Sequence, residues 1–212
     1  LEGGNGPQEE IDQAKTEMHP KKFKQEYEAS FETMGSSIYY SFDRDLNLSH
    51  TKITPRKDIL VGMDFNVTPM SAVIGQRYGD KLHIVEEISI PDSNTYEMCE
   101  ELQNRYLGSR IIVFPDASGA NRNTTSSIGE TNHSIIRSFG FQLYSPKKNA
   151  RVSERINRVN TLLMSANNEQ KLLINYQCKG VIRSLEGMQY KPHTSIPDKS
   201  NGLDHMSDAL GY

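Results

Sequence analysis

The stretch MSAVIGQRYGDKLHIVEEISI, residues 70–90, limits the folds open to this chain more than any other. Two largely apolar runs are separated only by Gly79 and Asp80, a turn that joins antiparallel strands. Another strand, DILVGMD, precedes them and ends at Asp64. Downstream, SNTYEMCEELQNRYLG reads as a helix with a polar start at Asn94, Glu97 three residues on, and Gly108 beyond its end. The run RIIVFPD that follows is apolar enough to be buried, and the helix before it marks a crossover, so this fourth strand is expected to run parallel.

A short helix, NHSIIRSFG, ends at Gly140, and FQLYS supplies a fifth strand. ARVSERINRVNTLLMSA is an amphipathic helix with Val152, Ile156, Val159 and Leu163 on one face. KLLINY is expected as an extra edge strand, CKGVIRSLEGMQY as a further helix, and GLDHMSDALGY as the start of the last one. The order is β-β-β-α-β-α-β-α. It predicts an α/β fold with a ribonuclease H-like mixed sheet, its first three strands antiparallel and its fourth and fifth parallel, flanked by helices. A doubly wound dinucleotide fold fits less well, because no GxGxxG follows the first strand. No GxxxxGK[ST] occurs, so this chain is not expected to hydrolyse ATP by itself.

Residues 1–50 have a different character. Two short helices broken at Pro20 and a possible strand in SSIYYSF offer little core of their own. The segment is expected to lean on the main domain, residues 51–212, or to connect it to another. The chain starts without a methionine and reads as a piece excised from a longer protein. Cys99 and Cys178 lie far apart without CxxC spacing, which excludes a zinc site or disulfide framework and argues for a reducing compartment. No apolar run approaches the length of a membrane span, and no signal peptide is expected.

The chemistry concentrates in three acidic positions. Asp64 lies toward the end of the first predicted strand and Asp116 closes the fourth. If these strands are parallel neighbours, their ends point the same way and the two carboxylates meet. Such a pair repels unless a divalent cation neutralises it, and hard oxygen ligands suit Mg²⁺ or Mn²⁺. On the last helix Asp204, His205 and Asp208 share roughly one face through i, i+3 and i, i+4 spacing. Two ions held there would clamp the attacking water and the leaving oxygen of a phosphodiester. Each residue alone has a structural alternative: Asp64 and Asp116 as turn or capping residues, Asp204 as a helix cap, His205 as a packing or surface histidine.

The formal net charge is −3, so contact with a polyanion must come from local patches. Lys147, Lys148 and Arg151 occupy a loop and first helical turn, with Arg155 and Arg158 following on the polar helix face. These would suit sequence-independent backbone binding, or simply a solvated surface. Arg122 sits in SGANRNTTSSIGE, a polar loop after Asp116 that could close over substrate; Lys21, Lys22 and Lys24 read as solvated surface.

VGMDFNVTPMSAVIG, IIVFPDASG and GLDHMSDALGY together resemble the three nuclease motifs of large terminase subunits from tailed bacteriophages, most closely the headful-packaging type of enteric phages. The ending His-x-x-Asp-Ala-x-x-Tyr is the most specific, and KKFKQEYEASFE is similar to the segment leaving the ATPase domain in that family. The resemblance implies a ribonuclease H-like, metal-dependent endonuclease that cuts concatemeric double-stranded viral DNA before and after packaging. It implies Asp64, Asp116 and Asp208 as metal-binding carboxylates, His205 as their companion, and Asp204 as a further acid. The implied cofactors are two Mg²⁺ or Mn²⁺ ions. The implied partners are double-stranded DNA, the portal protein, the small terminase subunit and an N-terminal ATPase domain of the same chain. The implied location is the host-cell cytoplasm, transiently at the portal. A junction resolvase, a transposase, or a non-catalytic docking module for portal or small subunit are the alternatives.

Overall fold

The computed structural model describes residues 37–66, 68–121 and 130–212. In chain order they form helix α1 (Arg44–Asn47), strands β1 (Leu48–Ser49), β2 (Ile59–Asp64), β3 (Met70–Tyr78) and β4 (Lys81–Ile90), and helix α2 (Thr95–Arg105). Then come β5 (Ile111–Pro115), a 3-10 turn (Ala117–Ala120), α3 (Asn132–Ser138), β6 (Gln142–Leu143) and α4 (Val152–Leu163). The chain continues through β7 (Leu172–Asn175), α5 (Lys179–Gly187) and α6 (Asp204–Gly211).

The seven strands make one sheet in the order β1-β7-β4-β3-β2-β5-β6. β2, β3 and β4 are antiparallel to one another in sequence, whereas β2–β5 and β5–β6 are parallel. The mixed α/β sheet expected from the sequence is therefore present. Its hairpin closes as read, with Tyr78 opposite Lys81 and Gly79 at φ +63°, a left-handed conformation that glycine adopts without steric cost. Asn94 caps α2 by accepting the amide of Glu97, and Gly108 follows that helix at φ +81°.

Residue alternation divides the core between the two faces of the sheet. Ile59, Val61 and Met63 of β2 join Ile111 and Val113 of β5 and Met98 and Leu102 of α2 on one face. The other face carries Val73, Ile84, Leu172 and Ile174 under Ile156, Val159 and Leu163 of α4, Val181 and Leu185 of α5, and Met206 and Ala209 of α6. Both faces of β3 are covered, so its first seven residues are all buried.

Four details differ from the sequence reading. KLLINY is not an edge strand: β7 pairs in parallel with β4 on one side and with β1 on the other. Leu48 and Ser49, in the segment read as connector, cover its outer side. The SSIYYSF stretch makes no strand over its described part; Ser37 forms a single bridge to Gln189, while Ile38 and Tyr39 sink into the core. Asn160 holds this turn from α4, donating to the carbonyl of Ile38 at 3.0 Å and accepting from the amide of Ser41 at 3.1 Å. FQLYS shortens to the two residues of β6, and Val152 is exposed because it opens α4 outside the span that meets the sheet. The predicted helices around Pro20, the cluster Lys21, Lys22 and Lys24, and Arg122 lie outside the described residues. Among the described residues no helix is long and apolar enough to cross a membrane.

Candidate active site

The period of two along a strand fixes where Asp64 faces. With Ile59, Val61 and Met63 committed to the α2 side, Leu60, Gly62 and Asp64 turn to the opposite face, beneath α6. Gly62 makes that approach possible, since a Cβ there would collide with the carbonyl oxygen of Ala209. The same parity on β5 sends Phe114 to this face, where it lines a groove with Ala209 and Tyr212.

β2 and β5 pair with Met63 opposite Pro115, so Asp64 and Asp116 each stand one residue beyond that pair at the same sheet edge. The amide of Asp116 donates to the carbonyl of Met63 at 3.2 Å and continues the ladder to this point. His133, on α3, contacts the carbonyl of Asp116 through Nε2 at 3.0 Å and braces its backbone.

Asp64 is buried, 8% exposed. Burial pushes its carboxyl above the usual range, and the nearby charge of Asp208 adds to the rise. His205 and a hydrogen bond from Asn66 oppose the shift without cancelling it. Asn66 Nδ2 lies 3.2 Å from Asp64 Oδ2 and 2.7 Å from His205 Nδ1, which itself stands 3.5 Å from the same carboxylate oxygen.

Asp116 is treated in the opposite way. Burial alone would raise its carboxyl, but the hydrogen bonds it accepts outweigh that and hold it below the usual range. Tyr212 Oη donates to Oδ2 at 2.7 Å, while Asn149 Nδ2 and the amide of Ser118 donate to Oδ1 at 2.8 and 2.6 Å. Asn149 also accepts the amide of Ala117 at 2.9 Å. It thereby ties the basic segment before α4 to this carboxylate.

α6 contributes Asp204, His205 and Asp208. Asp204 does not cap the helix: Leu203 takes the N-cap position, and Asp204 is its first residue, buried. Lys199 Nζ lies 3.1 Å from Asp204 Oδ2 and 2.6 Å from Asp208 Oδ2. Arg155 Nη2 approaches Asp208 Oδ1 at 3.2 Å, and its guanidinium stands over the Tyr212 ring, 4.5 Å from the centroid. The structure thus brings Asp64, Asp116, His205, Asp208 and Asp204 to one edge but does not gather them around one point. Among the described residues, no three His, Cys, Asp or Glu side chains are grouped closely enough to hold a metal ion. Asp208 is instead drawn to Arg155 and Lys199, and Asp116 to Tyr212 and Asn149.

Lys147, Lys148 and Arg151 are exposed, as expected of a surface patch. Arg155 is not placed with them: its side chain is only 11% exposed and turns inward to Asp208. Sequence reasoning gave no role to Asn66, Asn149, Lys199 or Tyr212, although Tyr212 closes the His-x-x-Asp-Ala-x-x-Tyr ending. Only Asn66, two residues after Asp64, and Tyr212, four after Asp208, carried a local spacing signal.

No protein-family model and no curated protein matches this chain. Comparison with solved structures does find likenesses. The large terminase from a thermophilic bacteriophage, in complex with ATP-γ-S, superposes with a TM-score of 0.73 at 18% identity, over 98% of this chain and 52% of that one. The nuclease domain of the P22 large terminase gives a TM-score of 0.64 at 14% identity, over 85% of this chain and 92% of that one. The large terminase nuclease from thermophilic phage G20c, with bound cobalt, gives 0.57 at 11% identity, over 83% and 95%. This chain has the fold shared by those nuclease domains, and it spans about half the length of the terminase solved with ATP-γ-S.

Proposed function

We propose that this chain is the metal-dependent endonuclease domain of a viral DNA-packaging terminase, hydrolysing phosphodiester bonds of concatemeric double-stranded DNA to start and end packaging. The observation that carries this reading is the placing of Asp64 and Asp116 at adjacent ends of parallel β2 and β5, with Asp208 and His205 of α6 on the Asp64 side. The likeness to the P22 and G20c nuclease domains, one of them with bound cobalt, supports it.

The donor set suits divalent cations. It consists of hard carboxylate oxygens, and the charge of Asp208 raises the cost of ionising buried Asp64, a cost that a cation relieves. Asp64, Asp116 and Asp208, with Asp204 at the margin, would hold Mg²⁺ or Mn²⁺, in a pair. Bound there, such ions supply an activated water and stabilise charge developing on the leaving oxygen. Asn66 fixes the ring of His205 beside Asp64, a position suited to general acid–base work. Tyr212 and Asn149 keep Asp116 ionised and fixed in orientation. Lys147, Lys148 and Arg151 offer positive charge to the DNA backbone in the segment anchored by Asn149. The portal protein, the small terminase subunit and an ATPase domain in the same chain complete the proposed setting, in the host-cell cytoplasm, with residues 1–50 as the connector.

Plasmid cleavage tests the reading. With Mn²⁺ or Mg²⁺ the chain should nick and linearise supercoiled DNA, stop on addition of EDTA, and lose activity in Asp64→Ala, Asp116→Ala and Asp208→Ala. Cleavage that persists in all three variants would overturn the site. Cutting confined to four-way junctions would point to a resolvase instead.

A further inference from the structure

Asp204 and Asp208 stand one helical turn apart on α6 and carry like charge toward the same side, an arrangement that is unfavourable without a counter-ion. The chain supplies one. Lys199 bridges them, with Nζ 3.1 Å from one carboxylate and 2.6 Å from the other. Its two contacts fall on Oδ2 of each residue, so a single ammonium occupies the position between the two acids.

The two cations on Asp208 differ in how they are held. Arg155 projects from α4, is 11% exposed, and lies over the ring of Tyr212, so its guanidinium is fixed by packing. Lys199 comes from the loop before α6, and its side chain is 49% exposed. That loop is closed by local contacts of its own, with Asp198 accepting the amide of Ser200 and Gly202 at φ +66°. Its ammonium can therefore leave for solvent without disturbing the fold. A strongly hydrated point charge on a flexible stem is also the kind of group that exchanges readily with an ion.

From this geometry we propose that Lys199 is a built-in counter-ion that competes with the divalent cation for Asp208 and Asp204, and so sets how readily the site loads. The proposal rests on the nuclease-site reading. Lys199 is a positioning residue: it acts through the two carboxylates and takes no part in the reaction itself. In the metal-free protein it suppresses the repulsion between the acids. On loading it must swing away, and the free energy of its two ion pairs is subtracted from metal affinity. Arg155 stays, holding Asp208 against Tyr212 while the metal takes the place of the ammonium.

A clamp that merely orders the loop makes the opposite prediction, since losing it would loosen the site and weaken metal binding. Titration calorimetry of the whole chain with MnCl₂, after treatment with EDTA and dialysis, separates the two. Lys199→Met should bind Mn²⁺ about tenfold more tightly than the parent. Lys199→Gln should shift the same way, and Lys199→Arg should return affinity to near the parental value. In parallel, Lys199→Met should melt lower than the parent in EDTA and gain more from added Mn²⁺. Unchanged or weaker Mn²⁺ binding in both Lys199→Met and Lys199→Gln, with each folded by circular dichroism, would overturn the proposal and leave the nuclease site standing. Failure of the parent chain to bind Mn²⁺ at millimolar concentration would overturn the metal-site reading, and this inference with it.

Discussion

The hydroxyl of Tyr212 donates a 2.7 Å hydrogen bond to Oδ2 of Asp116, joining the far end of α6 to the end of β5. The same ring lies under the guanidinium of Arg155, which reaches Asp208. Asp116, Tyr212, Arg155 and Asp208 therefore form one polar chain across the sheet edge. Two carboxylates on separate elements are held in mutual position by a phenol and a guanidinium, before any cation is considered.

Tyr212→Phe removes the donor and keeps the ring. Outer-shell partners of this kind typically contribute about 10–100-fold to metal affinity or activity, and a loss in that range is expected in Mn²⁺-dependent plasmid cleavage. The pH dependence should change as well. Asp116 has a depressed folded-state pKa, so it contributes stability above its unfolded value, and this is lost as pH falls through the folded one. Without the Tyr212 bond the depression shrinks. The variant should lie below the parent in melting temperature at neutral pH, and the gap should narrow in acid. An equal gap at all pH values would mean that the bond does not act through Asp116 ionisation.

Gly62 sets the distance between α6 and the sheet. A methyl group at this position meets the Ala209 carbonyl, which is backbone and cannot rotate away. Gly62→Ala should therefore push α6 outward and carry Asp208 and His205 with it. Overpacking of this kind costs about 1–3 kcal/mol. That corresponds to about 2–4 °C of melting temperature per kcal/mol for a chain of this size. Activity should fall further than stability, because the displaced residues belong to the proposed site. A variant that melts lower but cleaves at the parental rate would separate the helix position from catalysis.

What the sequence revealed and what it hid follow from the range of the interactions. The hairpin at Gly79, the capped α2 and the parallel β5 all rest on signals within a few residues, and all are present. The parity of β2, with Ile59, Val61 and Met63 on one face and Asp64 on the other, emerges only in the structure, because the strand reads as one apolar run. The supports of the acids were not legible either. Asn149 reaches Asp116 across 33 residues and Tyr212 reaches it across 96, which no periodicity records. Arg155 was assigned to the polar face of α4 from its spacing. Whether an arginine on such a face meets solvent or a carboxylate depends on the helix packed beside it, here α6. The edge assignment of KLLINY failed for a related reason: its outer neighbour, β1, comes from a segment with too few apolar residues to read as a strand.

Asp64→Asn should separate stability from activity. The folded-state pKa of Asp64 is raised by burial and by Asp208, so its ionised form costs stability at neutral pH when no cation is bound. That cost disappears as pH falls through the raised pKa and is absent below the unfolded one. The asparagine keeps an oxygen for Asn66 and removes the charge. In EDTA at neutral pH the variant should melt above the parent. The advantage should fade in acid, and nuclease activity should be lost throughout. Added Mn²⁺ should stabilise the parent and leave the variant nearly unchanged. A variant that melts below the parent in EDTA would show that the Asp64 charge is already compensated within the fold.

The basic segment gives a prediction that distinguishes surface charge from the inward-facing arginine. Lys147, Lys148 and Arg151 are exposed, whereas Arg155 is committed to Asp208. If the first three contact phosphates, each removal should reduce the slope of log K against log salt by about 0.9 for duplex DNA. Fluorescence anisotropy on a labelled duplex with Ca²⁺, over a series of KCl concentrations, measures that slope. Replacing all three by alanine should weaken binding at low salt, flatten the slope, and leave the melting temperature nearly unchanged. Arg155→Ala should do the reverse. It takes away the partner of Asp208 and the cover of Tyr212, so it should lower the melting temperature while keeping the parental slope. A flattened slope in Arg155→Ala with unaltered stability would place its guanidinium on the DNA, and the pairing with Asp208 would then give way when the duplex binds.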